Sequence, residues 1–165
     1  MKKITIALVF AALICLQATA QKIAPADLKM LEGAWVGTLT YLDYKSNKTF
    51  TMPANTTFQQ SKENPNIYLR SIGYSTEPHA NQKDSMIISK DGTMLDDYKI
   101  ISNKKLKNGS IEIITEKNSV DGNDHKPAVL RHIYFIGKIL FINRKEVKFA
   151  GTDKWIMRNE YRFTR

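Results

Sequence analysis

Residues 33–44 read Gly-Ala-Trp-Val-Gly-Thr-Leu-Thr-Tyr-Leu-Asp-Tyr, and the period of that stretch decides the fold. Trp35, Gly37, Leu39 and Tyr41 fall on one side of an extended chain, and Val36, Thr38, Thr40, Leu42 and Tyr44 on the other. Alternation with β-branched and aromatic side chains on both sides predicts a strand covered on one face and partly wet on the other. Gly33 and Gly37 lie inside it. Glycine within a strand marks a bend or a close backbone approach, as at the corners of a coiled sheet or barrel.

Upstream, residues 25–32 predict a short helix, which Asp27 can cap and Gly33 can end, with Leu28 and Leu31 on one face. A helix of that length does not persist unless its apolar face packs on something, and the mouth of a barrel would suffice. Downstream, strand-like segments at 49–60, 67–74, 85–89, 93–102, 110–116, 128–136, 139–142, 145–151 and 154–164 are separated by turn-forming residues such as 63–66, 90–92 and 137–138. Pro53 implies an edge or a bulge in the first of these. No connection has room for a crossover helix. The pattern therefore predicts an all-β fold, an antiparallel up-and-down β-barrel of about eight to ten strands with a short N-terminal helix, a sandwich being the other way to fold such a meander.

Residues 1–20 read as a signal peptide: Lys2 and Lys3, an apolar run from Ile4 to Leu16, then Ala18-Thr19-Ala20 as a small-x-small cleavage site. The domain is then 21–165, and it has no transmembrane span. The single cysteine, Cys15, leaves with the signal, so stability must come from burial rather than cross-links. Export without disulfides suits a bacterial periplasm or the cell exterior. Loss of Lys2 and Lys3 takes the formal net charge from +9 to +7. A surplus of this size can favour anionic ligands, lipid surfaces or polyanions, but the lysines are scattered, so a soluble surface that is merely basic is the preferred reading. The densest basic cluster, Lys104, Lys105 and Lys107, reads as a hairpin tip with no aromatic interleaving, which gives little support to nucleic-acid stacking.

Catalytic and metal chemistry find no footing. His79, His125 and His132 include no pair at metal-ligand spacing, so no metal or cofactor is implied. His132 as an axial haem ligand is weighed against an ordinary hydrogen-bonded histidine, and the latter is adopted. Asp121, Asn123 and Asp124 around Gly122 resemble part of a calcium loop without its distal glutamate and read as a solvated turn. Asp96 and Asp97, read as adjacent strand residues, point to opposite faces and cannot share a substrate. The chain is read as a non-enzyme.

The short helix, Gly33-x-Trp35 on the first strand and the meander that follows resemble the lipocalin and fatty-acid-binding-protein group of barrels. The resemblance implies a cavity for a small, largely apolar molecule. It also implies an arginine from near the last strand packed across Trp35, supplied by Arg158, Arg162 or Arg165, with Arg162 preferred. Fatty-acid-binding proteins hold a carboxylate with Arg-x-Tyr, whereas here Arg158-Asn159-Glu160-Tyr161 is one residue too long for a common face.

Parity places Trp155, Met157, Tyr161 and Phe163 inward on the last strand, with Ile156, Arg158, Glu160 and Arg162 outward. Leu39, Tyr41, Ile111 and Ile113 point inward likewise. In 128–136 two assignments stand: Leu130, His132 and Tyr134 inward, or Val129, Arg131, Ile133 and Phe135. The candidate ligand-binding set is Leu39, Tyr41, His132, Tyr134, Met157, Tyr161 and Phe163, with Gly33, Trp35 and Arg162 as the structural motif. A solid core filled by the same side chains is the competing assignment. The expected partner is a small hydrophobic or amphipathic molecule. The alternative is an interaction module binding an envelope protein or polymer through its basic loops.

Overall fold

The computed structural model describes residues 21–43, 45–122 and 125–165. The expected signal peptide at 1–20 lies outside the described residues, as do Tyr44, Asn123 and Asp124. A one-turn helix α1 (Pro25–Leu28) runs into a 3₁₀ turn (Lys29–Leu31). Ten strands follow: β1 (Gly33–Leu42), β2 (Thr49–Gln60), β3 (Ile67–Gly73), β4 (Gln82–Ile87), β5 (Met94–Leu95), β6 (Tyr98–Lys105), β7 (Ile111–Asp121), β8 (Lys126–Ile136), β9 (Leu140–Phe149) and β10 (Ile156–Thr164).

All ten form one antiparallel sheet in the order β4-β3-β2-β1-β10-β9-β8-β7-β6-β5. Its outer strands meet again at the turn between them. Ile88 bridges Leu95, the Ser89 amide donates to the Met94 carbonyl at 3.0 Å, and the Asp96 amide donates to Ile87 at 2.7 Å. The result is a nearly closed up-and-down barrel with its seam at β4 and β5. Asp96 holds a left-handed backbone (φ 56°), which breaks the strand expected over 93–102 into β5 and β6. Asp96 and Asp97 are thus turn residues rather than strand neighbours. The two segments expected at 139–142 and 145–151 are one strand, β9. Pro53 lies where β2 has only β1 beside it, because β3 pairs from Asn55 onward.

The N-terminal turns plug one end. Leu28 and Leu31 are fully buried, the Trp35 indole N–H donates to the Leu31 carbonyl at 2.7 Å, and the Tyr68 hydroxyl donates to Pro25 at 2.8 Å. Asp27 is not the N-cap. That position is Ala24, whose N–H donates to the Asp27 carboxylate at 2.9 Å from three residues on. Asn103 and Lys105 also reach Asp27, at 3.3 and 3.6 Å, which fastens the plug to β6.

The arginine that packs across Trp35 is Arg165, with its guanidinium carbon 4.1 Å from the ring centroid. Arg162, the preferred candidate, pairs with Thr38 and Ile142 on the outer face and is exposed. Arg165 follows the end of β10 and so is free to turn across the plugged end. There it donates to the carbonyls of Met30 (2.8 Å), Glu32 (2.5 Å) and Lys138 (2.9 Å).

Candidate functional site

Register sorts the interior into rows along the hydrogen-bonding direction. The deepest runs Gly37–Phe163–Phe141–Ile136–Ile111 and is apolar throughout. Gly37 is required there, because a Cβ would overlap the Arg162 carbonyl oxygen and sit 2.8 Å from the Phe163 Cα. The next row, Leu39–Tyr161–Asn143–Tyr134–Ile113, is mixed. The third, Tyr41–Asn159–Lys145–His132–Thr115, is polar from end to end. Its first four members are half-buried, and Thr115 is at 0%. On β8 the first parity assignment holds, with Leu130 and Tyr134 buried and His132 in line with them.

The last strand breaks parity. The register slips between Met157 and Asn159, so that Ile156 lies opposite the buried Val147 while Met157 lies opposite Glu146. One extra residue in a strand re-aims the side chains that precede it. Met157 therefore leaves the candidate set for the outer face, opposite to the expectation. Trp155 is on that face too, 3.7 Å beneath the Arg131 guanidinium, and Ile156 takes the inner side. Arg158 is also turned inward, which the unbroken alternation excluded. Its side chain is 10% exposed, its Nε donates to Asp121 at 2.9 Å, and its guanidinium lies 5.5 Å from the Phe149 ring centroid. The bulge thus absorbs the extra residue in Arg158-Asn159-Glu160-Tyr161, and Arg158 and Tyr161 share the interior.

Around Arg158 the open end of the barrel forms a depression of about 340 Å³ lined by Tyr41, Leu42, Asp43, Lys45, Lys145, Arg158 and Asn159. Asp121 is not a solvated turn residue. β7 extends to include it, and it is buried, with Lys145 Nζ at 3.4 Å and Arg158 Nε at 2.9 Å. Two cations converge on this one carboxylate. Beside it Ala128, Leu130 and Val147 form a small apolar cluster against Tyr98 and Phe149. The depression itself offers Tyr41 and Leu42 as apolar surface beside its charged side chains.

Deeper in, His132 Nδ1 is 3.0 Å from the Asn143 side-chain oxygen, and the ring packs edge-on to Tyr98 and stacks on Tyr134, at centroid distances of 4.9 and 5.7 Å. Burial holds its pKa below the ordinary histidine value; the Asn143 contact opposes that, and the charges of Lys145 and Arg70 add to it. The Tyr74 and Tyr161 hydroxyls are 2.6 Å apart, and burial together with that bond pushes the Tyr161 phenol well above its usual range. Arg70, on the inner parity of β3, makes a bidentate pair with Asp84, its direct partner on β4, both contacts 2.7 Å. The structure thus brings Tyr41 and His132 into the polar row, Leu39, Tyr134 and Tyr161 into the mixed row, and Phe163 into the floor.

Lys145, Arg158, Asp121, Asn143 and Thr115 were not singled out as site residues by sequence. The one available signal was charge at inward parity on an otherwise apolar strand, as with Lys145 between Asn143 and Val147 on β9. Among the described residues no cluster of three or more His, Asp or Glu groups is placed to hold a metal ion, and no helix is long and apolar enough to cross a membrane.

No protein-family model matches the chain, and no curated protein matches it in sequence. Among solved structures it is similar to the crystal structure of Rv2717c from M. tuberculosis, with 14% identity over 87% of this chain and 98% of that one and a TM-score of 0.47. At that level of similarity nothing about function transfers.

Proposed function

We propose that this chain is a lipocalin-like barrel, exported to the periplasm or cell exterior, that binds a small amphipathic anion in its open end and does not transform it. The ligand's anionic group lies against Lys145 and Arg158, and its apolar part lies against Tyr41 and Leu42, which line the same depression. One observation carries the reading: a depression of about 340 Å³ lined by Lys145 and Arg158, both bonded to the buried Asp121, together with Tyr41 and Leu42. Mostly buried cations attract an anion through less water than surface lysines do, so the site is screened only weakly by salt.

The test is displacement of a fluorescent fatty acid from the mature protein. Lys145→Gln should weaken binding about tenfold, the worth of one hydrogen bond to a charged group. Equal affinity in wild type and variant would remove the reading. Steep salt dependence together with sensitivity to Lys104 and Lys107 would instead favour the basic-loop interaction module. Export is tested separately, by the N-terminus of the protein recovered from its host, with Gln21 expected first.

A further inference from the structure

We infer that the ligand's apolar part runs outward across the rim of the barrel, over Tyr41 and onto Phe50, instead of inward between the strands. This rests on the reading just given and names the ligand class more narrowly: an acid whose apolar part extends three strand spacings, about 14 Å, from its anionic group, bound with its tail outside the interior.

Phe50 is a large apolar side chain left uncovered on an inward face. It shares the parity of Ala54, Thr56 and Phe58 on β2, all of which are buried, yet it is 50% exposed. The cause is topological. β3 pairs with β2 only from Asn55 onward, so the part of β2 before Asn55 has β1 on one flank and no strand among the described residues on the other. Phe50 lies directly opposite Tyr41, and the two rings stack at a centroid distance of 6.0 Å and an interplanar angle of 26°. Single exposed apolar residues need no explanation, but this one continues an apolar surface that already lines the mouth depression through Tyr41 and Leu42.

The same row of the sheet joins that surface to the cations. Phe50 pairs with Tyr41, Tyr41 with Asn159, and Asn159 with Lys145, which sets Phe50 three strand spacings from Lys145, about 14 Å. The inward direction is closed. In the row beneath Lys145, Asn143, Tyr134 and Ile113 are buried, and the Tyr161 hydroxyl is taken up by that of Tyr74 at 2.6 Å. An acyl chain anchored at Lys145 and Arg158 therefore finds accessible apolar surface along the row toward Phe50.

Titration calorimetry with hexanoate, octanoate, decanoate and dodecanoate, each below its micelle concentration, tests this. A methylene lying on the hairpin has one side covered, so each should strengthen binding about twofold, from half the free energy of full burial. Dodecanoate should then bind more than about tenfold tighter than hexanoate. Phe50→Ala should remove most of that advantage, while Phe50→Leu, which keeps an apolar side chain there, should retain most of it. Ile139→Ala, at a 71% exposed position in the turn at the plugged end, is the control and should leave the series as in wild type. A chain-length advantage that persists in Phe50→Ala overturns the inference, because the tail then lies elsewhere, and equal affinity along the series in wild type does the same; both leave the anion-binding reading standing. Absence of binding by all four acids overturns the two together.

Discussion

Replacing Arg165 by alanine should loosen the plugged end of the barrel. The guanidinium bonds three carbonyls, those of Met30, Glu32 and Lys138, and lies over the Trp35 ring at 4.1 Å. It therefore ties the N-terminal plug, the start of β1 and the β8–β9 turn to one another. The residue is exposed, so each hydrogen bond is discounted to about 0.5 kcal/mol. The cation–π contact adds about 0.5–1 kcal/mol at such a site. The total is about 2 kcal/mol, which for a domain of this size lowers the melting temperature by about 6 °C. Thermal unfolding followed by circular dichroism reads it directly. Arg165→Lys keeps the charge but not the planar fork and should recover less than half of the loss. Arg162→Ala, on the exposed outer face, is the control and should change little. Equal melting temperatures for Arg165→Ala and Arg162→Ala would refute the assignment of Arg165 as the clasp.

Three further outcomes follow from the geometry. Gly37→Ala drives a Cβ into the Arg162 carbonyl, so it should cost about 3 kcal/mol or prevent folding, read by denaturant unfolding, whereas Gly73→Ala, on β3 with the Asn81 side-chain oxygen at 3.8 Å as its nearest neighbour, should stay within about 1 kcal/mol. His132 has a folded-state pKa below its unfolded value of about 6.5, so the unfolded chain takes the proton first. Its contribution to stability is thus complete above about pH 6.5 and is lost as pH falls toward the folded value, a slope that His132→Gln should flatten in melts across that range. Asp121→Asn removes the carboxylate shared by Lys145 and Arg158, so it should lower the melting temperature yet tighten binding of a fluorescent fatty acid, and weaker binding would contradict the cationic mouth.

Much of the barrel was legible because the apolar floor alternates cleanly. Phe163, Phe141, Ile136 and Ile111 all stand at positions where period two and burial agree. On β8 parity alone left two assignments, since Ile133 and Phe135 on the outer face are as apolar as Leu130 and Tyr134 within. Register resolved it by placing Tyr134 opposite Ile113. The bulge before Asn159 had no such signal. No glycine or proline marks it, so Met157 was assigned inward and Arg158 outward, each opposite to its place. Arg158 meets Asp121 across 37 residues, and that separation hid the mouth: each read locally as surface, and only closure of the barrel puts them together. Thr115 looked like any strand threonine. That its hydroxyl has no hydrogen-bond partner among the described residues is a property of the folded chain alone.

The central claim, an amphipathic anion in the open end, is met most directly by native mass spectrometry of the mature protein purified from its own host, followed by extraction of whatever it carries. The account predicts one bound acid per chain in wild type, released unchanged, and its loss in Lys145→Gln. A bare protein mass, with no uptake of any added fatty acid, would contradict it.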